Sequence, residues 1–265
     1  MSLNRTALRL AVIEALRPFG EVMKTNAAEK HWPTAAQDNI ADSLIEPWPA
    51  TDPRARLPFI GVFTDEAHIH NHGAAQDVTF PDQGLHRCIL AIEIIVPQTS
   101  SGPAGPVLQF VAETNAAAEM FIETIEGQIF QALSAARLDG ALRHALITVD
   151  KVESQTWRDP DSNLKMSARR IEMECRIPEL VWPEPGAIGL ARLPRPLRDV
   201  ANDLPVNSPG RLMAAGVATI LDGLPQPPPL EDIRTTIVLS RDGESPASEG
   251  IDFTASNSYR RRPKV

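Results

Sequence analysis

Three histidines at alternate positions, His68, His70 and His72, come nearest to chemistry by type and spacing. On an extended chain a His-x-His pair shows both imidazoles on one face. With Asp65 or Glu66 beside them, His68 and His70 could hold a metal ion. Geometry limits the idea. At roughly 3.3 Å per residue, His68 and His72 would stand about 13 Å apart on a straight strand. Zinc–nitrogen bonds of about 2.0–2.1 Å let one ion take only two of the three unless the chain folds back. The segment therefore reads as a solvated loop following a strand, and a metal-dependent enzyme using the His68/His70 pair is the competing reading.

The remaining candidates carry less. Cys88 and Cys175 are too few for a disulfide scaffold or a four-thiolate zinc site, and each falls inside a predicted strand, where a cysteine is a core residue. No phosphate-binding glycine loop, dinucleotide fingerprint, nucleophile elbow or His-Glu-x-x-His helix occurs. Glu93 interrupts an aliphatic run and reads as an edge residue or as an arginine's partner at a subunit contact. Glu119, Glu123 and Glu126 mark the wet face of a long helix, and the basic end Arg260-Arg261-Arg262-Pro263-Lys264 reads as a solvated tail. No catalytic, cofactor-binding or metal residue is assigned, and the chain reads as a protein that is not an enzyme.

Elements of ordinary kind must position these residues. The 265 residues are 43% hydrophobic and 23% charged, enough for a normal core, and the net charge of −8 argues against a nucleic-acid-binding face. No apolar run approaches the roughly 18–20 residues of a membrane span, and the first residues have no secretory core, so a soluble, intracellularly made protein is expected. Residues 2–17 show one apolar helical face (Leu8, Ala11, Val12, Ala15, Leu16) that Pro18 stops. A short strand is expected at 40–45 and a mostly buried one at 57–64. A polar loop over 65–84 then leads to a central strand at 88–96, and residues 97–106 read as a turn-forming loop.

A helix is predicted from Asn115 to about Ala136 on the stripe Ala118, Phe121, Ile122, Ile125, Ile129, Ala132 and Leu133. Two strands follow at 145–156 and about 171–177, the first with a bulge near Lys151. The second has Ile171, Met173, Cys175 and Ile177 inward, alternating with Glu172, Glu174 and Arg176. The layout is α+β: a mainly antiparallel sheet covered on one face by two helices. Residues 180–265 hold 12 of the 24 prolines and balance 10 basic against 10 acidic residues. They read as a proline-rich extension of a domain spanning 1–179. One helix is expected at 210–224, with Met213, Val217, Ile220, Leu221 and Leu224 on its apolar face, and one strand at 235–240.

The opening Met-Ser-Leu-Asn-Arg-Thr-Ala-Leu-Arg-Leu-Ala-Val-Ile-Glu-Ala-Leu-Arg-Pro resembles the start of tail terminator proteins of long-tailed phages and phage-like gene-transfer particles. So does the order that follows: the strand Pro-Phe-Ile-Gly-Val-Phe-Thr-Asp-Glu, an aliphatic central strand, a long helix and a hairpin. The resemblance spans about residues 1–178 and rests on structural motifs. It implies a homo-oligomeric, hexameric ring on the last ring of tail tube protein, which stops tube growth and offers its other face to head-side neck proteins. The place implied is the tail–neck junction of a virion, assembled in the bacterial host cytoplasm. Compact family members lack the region after Glu179, which suggests an additional contact surface. Another head–tail connector or tail-completion protein of the neck is the alternative of the same class.

Overall fold

Proline and alternating apolar residues mark most element boundaries in the computed structural model, which describes residues 2–43, 57–70, 85–96, 98–102, 105–109, 116–157 and 167–223. Helix α1 (Ser2–Leu16) ends one residue before Arg17-Pro18, and a short α2 (Phe19–Met23) restarts directly after that proline. The strands are β1 (Ile40–Asp42), β2 (Phe59–His70), β3 (Leu85–Val96), β4 (Gln98–Gly102), β5 (Gly105–Gln109), β6 (Thr148–Trp157) and β7 (Ser167–Ile177). Helices α3 (Ala116–Asp139) and α4 (Leu142–Ala145) lie between β5 and β6, and α5 (Leu197–Asp203) and α6 (Pro209–Gly223) follow β7.

Five strands form one sheet in the order β1-β2-β3-β7-β6, antiparallel except for the parallel pair β1–β2. The fold is α+β. Period-2 alternation sends Ile60, Val62, Leu90, Ile92, Ile94, Ile171, Met173 and Cys175 to one face, where all are buried. Onto that face pack α1, through Ala7, Leu8, Ala11, Val12 and Leu16, and α3, through Ile122, Ile125, Ile129 and Leu133. Arg9 on α1 pins the sheet edge, donating from Nε to Asp42 at 2.8 Å and from Nη1 to the Thr64 hydroxyl at 2.8 Å. The bulge expected near Lys151 is present, with the register shifting between Val149 and Lys151.

The structure corrects four expectations. First, β2 runs on to His70, so His68 and His70 belong to a strand, opposite Arg87 and Leu85 of β3. The polar Asp65-Glu66 that looked like the start of a loop lies at a bulge, which interrupts alternation without ending the pairing. Second, the expected loop at 97–106 is largely a two-stranded ribbon, Gln98 to Gly102 pairing with Gly105 to Gln109. Serine and threonine fill the first of these strands, and Pro106 lies in the second.

Third, the compact units divide after Leu224, not after Glu179: Met1–Leu224 is one and Pro225–Val265 the other. Leu193, Leu197, Val200, Ala201 and Leu204 are fully or almost fully buried in the same core as α1, and α5 was not expected. Prolines had suggested an extension, but here they begin or flank short helices. Fourth, α6 turns only part of its expected face to the core, through Val217 and Leu221. Ala214 and Ala218 are buried, while Met213 and Ile220 are 47% and 66% exposed. Gly210 lets the start of this helix approach closely, since a Cβ there would meet Leu204 Cδ1 at 3.1 Å and Leu10 Cδ2 at 3.6 Å. The expected strand at 235–240, the basic end, His72 and the Asn115 cap lie outside the described residues.

Candidate functional site

The second face of the sheet carries no helix among the described residues, and its side chains are the outward half of each strand's alternation. At the end of the sheet where β2 begins and β3 ends it is apolar. Phe59, Ile95 and Ala168 form a small cluster with Ala41, and the rings of Phe59 and Phe63 close over Gly61, where a Cβ would stand 2.8 Å from the Phe63 ring.

Farther along the same strands the face becomes a lattice of ion pairs. Arg170 of β7 is its hub. Its guanidinium reaches Glu93 of β3 at 2.7 Å, Glu172 at 2.7 Å, and Asp65 at the β2 bulge. Burial works against this charge, but the three carboxylates outweigh it and hold the guanidinium above its already high range. A second hub follows: Arg87 of β3 meets Glu174 at 2.8 Å and Asp150 at 3.3 Å, and Arg176 meets Asp150 at 2.8 Å. The Arg176 hydrogen bond, chiefly, lowers the Asp150 carboxyl. Beside the second hub lies a hollow of about 240 Å³ lined by His68, Arg87, Ile89, Lys151, Glu153 and Glu174 among others.

The residues singled out in the sequence are distributed as follows. His68 is 60% exposed and 3.4 Å from Glu66 Oε2. His70 pairs in register with Leu85. Among the described residues no group of three His, Cys, Asp or Glu is placed to hold a metal ion. Glu93 pairs with Arg170 of its own chain. Glu119 and Glu126 do more than wet α3: both accept from Arg169 at 2.9 Å, clamping the helix to the start of β7, while Glu123 is exposed. Cys88 and Cys175 face each other across β3 and β7, both buried, and burial pushes their thiols up to about 11 and about 12.

Such a face supplies charge complementarity and shape. Its arginines Arg87, Arg170 and Arg176 are each paired with carboxylates. Sequence reasoning saw the outward charges of β7 but not their partners. The available signal was Arg87 and Glu93, set at odd positions in an otherwise aliphatic strand. No helix among the described residues is long and apolar enough to cross a membrane. A scan against protein-family models finds no match, and a search of curated proteins finds none either.

Proposed function

We propose that the chain is a structural subunit that closes into a ring on the end of a phage-type tail tube, stops its growth and presents a surface for head-side neck proteins. One observation carries this reading: among the described residues, one face of the sheet and one ribbon lack a partner element. One sheet face is buried under helices, while the other displays a neutralised charge lattice with no helix on it among the described residues. The β4–β5 ribbon likewise pairs with no other strand among the described residues. Ring subunits need such surfaces, because head-to-tail contacts join two different patches of the same chain. The resemblance of residues 1–178 to tail terminators supplies the particular ring and its place in the particle.

The test is reconstitution. Purified chain added to polymerising tail tube protein should shorten the tubes and leave a ring at one end, counted by electron microscopy. Tubes of unchanged length with bare ends would sink the reading.

A further inference from the structure

Strand β6 leaves its outer edge unpaired among the described residues. It is last in the sheet order and ten residues long, and residues 150–156 are exposed. The opposite edge strand, β1, has only three residues. Natural edges protect themselves with charge, proline or a bulge. β6 does so in its first half, through the bulge at Asp150 and the pair Lys151–Glu153. Its second half, Ser154, Gln155, Thr156 and Trp157, carries no charge.

The ribbon also has edges that pair with no further strand among the described residues. A two-stranded hairpin is marginal in water by itself. Its first strand reads Gln-Thr-Ser-Ser-Gly, without charge or proline, while β5 carries Pro106. β4 therefore has the better edge to offer. Its own sheet cannot take it. β4 begins two residues after the end of β3, within about 7 Å. The lane outside β6 lies three strand spacings from β3, about 14 Å, with β7 and β6 between.

We propose that β4 of one copy adds to the free edge of β6 in a second copy, along the uncharged residues 154–157. A ring then closes through sheets continued from neighbour to neighbour. The proposal rests on the ring-forming reading for its partner, a second copy of this chain. Two uncharged, proline-free strand edges of one sequence, unable to reach each other within a chain, suit that partner better than a charged one.

Cysteine cross-linking tests it. Full-length chains carrying Ser100→Cys and, separately, Gln155→Cys are mixed near their solubility limit and oxidised with copper phenanthroline. Cys88 and Cys175 stay in place because both are buried. The expected product is a disulfide-linked dimer of the two variants, at several times the yield given by Ser100→Cys with Asn202→Cys, an exposed position on α5. A chain carrying both Ser100→Cys and Gln155→Cys should give a ladder of multimers. A yield no higher than the control overturns the proposal.

A second readout avoids cysteines. Gln155→Lys with Thr156→Lys should leave the melting temperature unchanged and abolish multimers in sedimentation velocity. Multimers that persist overturn the strand contact. Capping of tubes by a chain that fails to cross-link would reject this contact alone, whereas cross-linking without capping would reject the tail reading alone.

Discussion

Glu14 is a residue whose ionisation the fold resists. Burial pushes its carboxyl above the ordinary 4.5, although the Phe19 amide, donating to Oε1 at 2.9 Å, and Arg17 oppose the shift. The folded chain thus keeps a proton that the unfolded chain has lost, so stability falls as pH rises through the window that opens at about 4.5. Glu14→Gln keeps an acceptor for Phe19 and removes the charge. Thermal melts should show the variant more stable than the parent at neutral pH, with the difference vanishing in acid. A variant less stable at neutral pH would mean that the carboxylate's hydrogen bond outweighs its burial. The facing cysteines give a second expectation at this scale. With both thiols buried and raised, Ellman's reagent should label neither in the native chain and both after denaturation. Rapid native labelling would show that β3 and β7 open locally.

Strand β7 was the most legible element, because from Ile171 to Ile177 its inward and outward residues differ in kind at every step. Met173 is 3% exposed, so Met173→Asp buries an unpaired charge and should cost more than about 4 kcal/mol, read as loss of a cooperative melt. Glu172→Lys, on the open face, should leave the chain folded while placing a second cation beside Arg170. A parent-like melt for Met173→Asp would reverse the assignment of faces. Helix α6 was not legible in the same way. Apolar residues lie on both of its sides, and the buried ones are the small Ala214 and Ala218 while the larger Met213 and Ile220 stay exposed. The ion-pair lattice was hidden for a related reason. Arg170 and Glu93 are 77 residues apart, and which outward charges meet depends on strand register, which no local pattern encodes. His68 and His70 were placed in a loop because a bulge and a turn share the same polar residues.

At the scale of the whole molecule, the region after Glu179 is two things: 45 residues that belong to the first unit, several of them in its core, and a remainder in the second unit. Leu193, Leu197, Val200 and Leu204 are each at most 2% exposed. At about 1.5–3 kcal/mol per side chain their burial is worth about 6–12 kcal/mol, comparable with the roughly 5–15 kcal/mol that stabilises a whole domain. Truncation after Glu179 should therefore yield insoluble or unfolded chain, whereas truncation after Leu224 should leave a cooperative melt by circular dichroism. A well-folded product of the shorter truncation would show that α5 and α6 only decorate the fold. The packing of α1 also sets an order of events in time. Asn4 Nδ2 lies 3.3 Å from His86 Nδ1 and 3.4 Å from the carbonyl of Pro178, partners 82 and 174 residues away, and Leu10 waits for Gly210. Non-local contacts of this span form slowly. Helix α1 precedes these partners in the chain, so the ribosome delivers it well before the residues that finish its cover, and its apolar face is closed in full only once α5 has been made.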